Sequence, residues 1–234
     1  MVGVKAIARR EVALATGLSA VAGYLDAVGY LVLGGWFVSF MSGNTTELAT
    51  HLGDSGWQQV GVAAALLGCF FGGVVLGAIL IRFGDGRTTV LTATTLLVAV
   101  TATVSMCVDS QVPVMLGLPL AMGTMNATFL SAGEASIGLT YMTGALVKSG
   151  QRLVDSFNGG PPMLWLRHLS LWASLLVGGT IGAVTHRWLG ATVALWTATG
   201  LLAGITLLVV VIRRRRGVFG EGPPSLLERE IKVL

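Results

Sequence analysis

The chain has 234 residues, of which 53% are hydrophobic and 11% charged, and its mean hydropathy is +0.79, which excludes an ordinary soluble domain and reads as an integral membrane protein. Its net charge of +4 would suit nucleic acid, yet four of the cations are Arg213 to Arg216, placed directly after an apolar run as a membrane anchor would be. No nucleic-acid partner is expected. Cys69 and Cys107 both lie in apolar runs, which leaves no disulfide framework or metal site.

A helix needs about 20 apolar residues to cross a hydrocarbon core of roughly 30 Å. Such windows fall near 12–33, 58–82, 88–108, 112–132, 163–186 and 190–212. The first begins after Lys5, Arg9 and Arg10 and contains Ala20-Val21-Ala22, which resembles a signal-cleavage site. Because the apolar run continues to Leu33, the first helix is expected to stay in the mature protein. Arg82 and Arg87 separate the second and third windows, Lys148, Arg152 and Arg167 surround the fourth-to-fifth connection, and Arg213 to Arg216 follow the sixth. The excess of Lys and Arg on one side places both termini in the cytoplasm of a bacterial cell, with the chain in its inner membrane.

The two halves echo each other. Gly23-Tyr24-Leu25-Asp26-Ala27 matches Gly123-Thr124-Met125-Asn126-Ala127, and Met41-Ser42-Gly43 matches Met142-Thr143-Gly144. Gly77-Ala78 with Arg82-Phe83 matches Gly182-Ala183 with Arg187-Trp188, and Thr92-Ala93-Thr94 matches Thr197-Ala198-Thr199. The expected fold is therefore an all-α integral membrane protein of six transmembrane helices, arranged as two inverted three-helix repeats. The repeats are about 11–108 and 112–213, within one membrane domain that ends in a cytoplasmic tail, 214–234. Three is an odd number, so the second repeat enters the membrane from the opposite side, the plan of many secondary transporters.

Asp26 is the one carboxylate well inside a predicted span, and charge at that depth is costly enough to mark a functional site by default. It is the expected coupling or substrate-contacting acid. Asn126 stands at the matching depth in the fourth span, each residue roughly 21 Å from its entry face at about 1.5 Å per residue. After the first span, Gly34-Gly35 breaks the helix, and Ser42, Asn44 or Thr45 is expected to cap a short helix running through Glu47 to about Leu52. Broken helix ends hold polar or anionic solutes in transporters, so Ser42, Gly43, Asn44 and Thr45 join Asp26 as candidate contacts, with Thr143 and Gly144 as their counterparts. Glu134 is a candidate gate with Lys148 or Arg152. Gly72-Gly73 and Gly178-Gly179, with Gly68 and Gly182 four residues away, are expected to permit close helix packing. His51, His168 and His186 have no metal-ligand spacing, and no cofactor is expected.

Gly23-x-x-Asp26-Ala27, the run Phe37 to Thr45 and Thr140-Tyr141-Met142-Thr143-Gly144 resemble the signatures of the YoaK-type family. These are bacterial inner-membrane proteins of about six spans whose domain is labelled as of unknown function. The resemblance extends from about Glu11 to Arg213, with Met125 where the family pattern carries Gln. Separately, Gly77-x-x-x-x-Arg82-Phe83-Gly84 resembles the loop between the second and third helices of major facilitator transporters, with Ile81 in place of an Asp. That likeness implies a half-sized unit that pairs as a homodimer.

The leading expectation is a secondary transporter of a small polar or anionic solute, with the bilayer and the solute as partners. The alternative is a non-transporting scaffold or sensor that binds a lipid, ligand or protein. An enzyme is not expected, because no nucleophile–base pair stands out.

Overall fold

Backbone polar groups in a bilayer have to be satisfied inside the protein, and apolar segments of this length achieve that as helices. In the computed structural model, residues 2–131, 134–135 and 142–215 are described. The helices are α1 (Val2–Val32), α2 (Met41–Gly53), α3 (Trp57–Leu80), α4 (Gly86–Cys107), α5 (Val112–Asn126), α6 (Met142–Phe157) and α7 (Leu164–Arg215). A single 3-10 turn, Ala127–Phe129, extends α5, and the two-residue strands Leu130–Ser131 and Glu134–Ala135 pair antiparallel after it.

Five of these segments are long and apolar enough to cross a membrane: Glu11–Val32, α3, α4, Val112–Phe129 and α7. The predicted windows coincide with them to within a few residues. α7 has 52 residues and loses helical geometry at Gly190, where φ is 84° and ψ 169°, a region that only glycine occupies without strain. Its two arms, 164–189 and 191–215, match the last two predicted windows. At the end of α1 the break falls where the glycines are: Gly34 and Gly35 both have positive φ, and the Gly35 N–H closes the helix on the Tyr30 carbonyl at 2.9 Å.

α1 and the α5 span sit at the centre. Of their apolar windows 56% and 61% is buried, against 22–33% for the other spans, so these two are enclosed by protein while the rest face lipid. Their buried residues, including Leu18, Ala22, Leu25, Leu118, Met122 and Met125, form one core with Val98 and Ala102 of α4 and Leu195, Ala198 and Leu202 of α7.

Glycine sets the closest approaches. A Cβ on Gly23 would lie 2.1 Å from the Leu175 carbonyl oxygen, one on Gly178 would lie 1.9 Å from that of Ala20, and one on Gly182 would lie 2.5 Å from that of Tyr24. α1 and the first arm of α7 thus touch backbone to backbone. The same three contacts recur between α3 and α5: Gly123 against Phe70 O at 2.1 Å, Gly73 against Leu120 O at 2.1 Å, and Gly77 against Thr124 O at 2.7 Å. Residues of α5 stand 100 positions after their equivalents in α1, and residues of α7 stand 105 after theirs in α3. By these offsets α5 meets α3 through the same positions at which α1 meets the first arm of α7. Gly68, expected to share in this packing, has nothing within 4 Å of where a Cβ would stand, because it faces away from α5.

Candidate functional site

Asp26 lies roughly 9 Å along the axis from the end of α1 at Val32, at about 1.5 Å per residue. The segment 33–40 returns to it. Its Oδ1 accepts hydrogen bonds from the backbone N–H groups of Val38 and Ser39, each at 2.9 Å. The chain thus re-enters the span to the depth of Asp26 before α2 begins, and non-helical backbone persists there only when protein groups satisfy it. Asn44 supplies the rest. From its fully buried position in α2 it donates through Nδ2 to the Phe37 carbonyl at 2.7 Å and accepts through Oδ1 from the Phe37 N–H at 3.2 Å. That double bond imitates a neighbouring strand and needs a side chain with both a donor and an acceptor, which an amide has.

Two glycines make room for the loop. A Cβ on Gly29 would come within 2.4 Å of Val38 Cγ1, and one on Gly43 within 2.5 Å of the Phe40 ring. The loop's apolar side is a run of rings, Tyr30 to Phe37 at 5.0 Å and Phe37 to Phe40 at 5.2 Å between centroids.

This corrects the expected capping. α2 starts at Met41 with Phe40 as its cap residue and no side-chain cap bond, so Ser42, Asn44 and Thr45 are all inside the helix. Asp26 and Asn44 hold the loop's N–H groups at 37–39, and in the first turn of α2 the N–H groups of Met41, Gly43 and Asn44 bond the carbonyls of Ser39 and Phe40 instead of a side-chain hydroxyl. Ser42 and Thr45 are exposed, and Thr45 spends its hydroxyl on the Met41 carbonyl at 2.8 Å.

Asn126 is at the end of α5 and donates to the Met122 carbonyl at 2.9 Å. Among the described residues no hydrogen bond joins it to Asp26. The segment 136–141, counterpart of the loop that Asp26 holds, lies outside the described residues, as does the Glu134 side chain. In α6, described from Met142, Thr143 is exposed and Gly144 buried. Lys148 and Arg152 line a cleft of about 560 Å³ with Gln151, Asp155 and His168, and Arg152 bonds Asp155 at 3.2 Å.

A second polar assembly ties together the end of the bundle where α1 starts and α7 finishes. Arg87, at the start of α4, bonds Glu11 of α1 at 3.0 Å and the Thr128 carbonyl at 3.3 Å, and its guanidinium lies 5.2 Å from the centre of the Phe129 ring. Beside it, buried Asp85 pairs with Arg213 at the far end of α7 and accepts from the Thr88 hydroxyl. Sequence reasoning read Arg87 and Arg213 only as charges that set the topology and gave Glu11 and Asp85 no role, since partners as distant as Asp85 and Arg213 leave no local pattern. It also missed Tyr24, whose hydroxyl is buried in the core without a hydrogen-bond partner among the described residues.

Compared with known proteins, residues 14–208 match the family described as "Protein of unknown function (DUF1275)". A UPF0700 transmembrane protein of Rhizobium meliloti (strain 1021) is 31% identical over 205 residues, which covers 87% of this chain and 88% of that relative. No solved structure matches. With the apolar helices described above, these matches make the chain a multi-pass membrane protein and bear out its resemblance to a bacterial membrane family whose domain is of unknown function.

Proposed function

The chain belongs to the DUF1275 family, and on that premise we propose that it is a six-span secondary transporter of a small polar or anionic solute, working by alternating access between two inverted halves. The observation that carries this reading is the reciprocity of the glycine contacts. The α1–α7 crossing and the α3–α5 crossing use equivalent glycines against equivalent carbonyls, as expected if a two-fold axis in the membrane plane relates the halves. Two halves that can exchange conformations about such an axis expose one central site to each side in turn.

Three further features support it. A straight helix of 52 residues would be about 78 Å long, more than twice the hydrocarbon thickness, so the break at Gly190 divides α7 into two crossings and gives six in all. The central helices, α1 and α5, are each other's counterparts and bring the buried Tyr24 hydroxyl to the core. The ion pairs of Glu11 with Arg87 and Asp85 with Arg213 lie on the Arg-rich side, which the charge distribution makes cytoplasmic in a bacterial inner membrane, and they hold that side closed. Pairing of two such units as a homodimer would complete a twelve-helix assembly.

A specific observation favours a second reading, a non-transporting scaffold or sensor. The Asp26 carboxylate is engaged in holding a loop, a structural task that requires no transported solute.

The test is a thermal-shift screen of purified protein against small metabolites and ions, followed by flux of any hit in proteoliposomes. A ligand at 100 times its Kd stabilises by about 2.7 kcal/mol, which is easily read. Saturable flux of the hit is the expected result; binding without flux would transfer the assignment to a sensor.

The closed side gives its own prediction. In a variant lacking Cys69 and Cys107, a cysteine at the buried position Thr128 should react with a membrane-impermeant maleimide about tenfold faster once Arg213→Gln removes the partner of Asp85. Unchanged labelling would mean that the pair does not hold the bundle shut.

A further inference from the structure

α6 is an interfacial helix with two dissimilar sides. Lys148, Gln151, Arg152 and Asp155 recur at helical spacing along one side, while Leu146, Val147, Leu153, Val154 and Phe157 are exposed on the other. Phe157 is 80% exposed and Val154 59%, values that water would penalise and acyl chains would not. Buried Gly144, Ala145 and Ser149 seat the helix, with the Ser149 hydroxyl donating to the Trp165 carbonyl at 3.1 Å. Trp165 stands in the first turn of α7, where indoles mark the membrane–water boundary.

Between α6 and this first turn lies the cleft of about 560 Å³ that Lys148, Arg152 and His168 line, with Arg167 acting on His168 electrostatically. Its acid, Asp155, is already bonded to Arg152, and among the described residues Lys148 has no ion pair. The cleft therefore offers net positive charge at headgroup depth, and the apolar side of the same helix adjoins it. Free phosphate would use the cations alone, whereas a phospholipid would use both sides of the helix.

We propose that this cleft binds the phosphate headgroup of an anionic phospholipid from the leaflet next to α6, with the acyl chains lying along Leu146, Val154 and Phe157. Such a lipid would fix α6 against α7, and α6 is the element that follows the central α5.

The test is titration of the full chain, in a neutral detergent, with phosphatidylglycerol, phosphatidylcholine or inorganic phosphate, reading bound lipid by native mass spectrometry and stability by thermal shift. Phosphatidylglycerol should be retained and raise Tm, and phosphatidylcholine should do neither. The Lys148→Gln, Arg152→Gln double variant should bind about 30-fold more weakly, from roughly fivefold per cation near a membrane surface. Arg82→Gln, a change of an exposed cation elsewhere, should bind as the unaltered protein does. Equal retention of the two lipids by the unaltered protein would overturn the proposal without use of any variant. So would undiminished binding by the double variant, or an equal shift with inorganic phosphate, which would make this a site for a soluble anion.

Discussion

Replacing Asp26 with Ala is expected to lower the melting temperature in detergent by on the order of 10 °C. The change leaves the Val38 and Ser39 N–H groups without their acceptor at a half-buried site, and each such loss costs about 1–3 kcal/mol. Asp26→Asn is the informative companion, since its amide oxygen can still accept both bonds and gives up only the charge-assisted part of them. A stable Asp26→Asn protein with intact flux would assign the carboxylate to holding the loop. A stable Asp26→Asn protein that has lost the pH dependence of flux would assign it to proton coupling as well. The account of the loop itself is sunk if Asp26→Ala melts where the unaltered protein does, or if a cysteine at Val38 is no more reactive in that background.

Gly178→Ala is expected to be worse. The new Cβ would stand 1.9 Å from the Ala20 carbonyl oxygen, and backbone in the middle of a helix cannot move aside as the end of a flexible side chain can. α1 and α7 would have to separate, weakening the neighbouring contacts at Gly23 and Gly182 as well. Overpacking costs about 1–3 kcal/mol where side chains can adjust, so a backbone clash belongs at or beyond the upper end. Gly73→Ala, with 2.1 Å to Leu120 O, should cost a similar amount because it breaks the equivalent crossing. Gly200→Ala and Gly204→Ala have nothing within 4 Å and should leave stability unchanged or raise it, since Ala favours a helix over Gly by up to about 1 kcal/mol. Thermal unfolding of the four variants side by side decides it. A Gly178→Ala protein as stable as Gly204→Ala would remove the close crossing, and with it the support that the glycines lend to the two-half reading.

What could be read from the sequence was whatever depends on composition along the chain. The spans announced themselves because roughly 20 successive residues must each tolerate hydrocarbon. Two of the three glycine pairs of the crossings, Gly23 with Gly123 and Gly77 with Gly182, were legible as an echo at nearly constant spacing, although Gly68, five residues before Gly73, was credited with a contact that it does not make. The polar stretch from Phe40 to Leu48 was singled out and was given the wrong mechanics. Ser42 and Thr45 are good capping residues in isolation, but the loop before α2 folds back on α1 and finds its acceptors there. Asp26 was identified by the cost of its burial, while its partners are backbone N–H groups, which every residue but proline has and which leave no mark in the sequence. The pairing of Arg213 with Asp85 escaped notice for a related reason: each residue alone is an unremarkable interface charge, and only the bundle brings the two together.

The pairing of α1 with α7 and of α3 with α5 also sets the order in which the protein can be assembled. α1 leaves the ribosome before the other described helices, yet the arm of α7 that fits its glycine face carries Gly178 and Gly182 and is made after all of α2 to α6. α3 has a shorter wait, since its partner α5 is the next span but one. For most of synthesis α1 is therefore a helix in the bilayer without its neighbour, its Gly23 groove open to lipid or to insertion machinery. During that interval the polar atoms of Asp26 can be met by its own loop, the one partner of α1 already present. A loop of local contacts thus shelters the polar centre of a helix whose long-range contacts are the slowest to form.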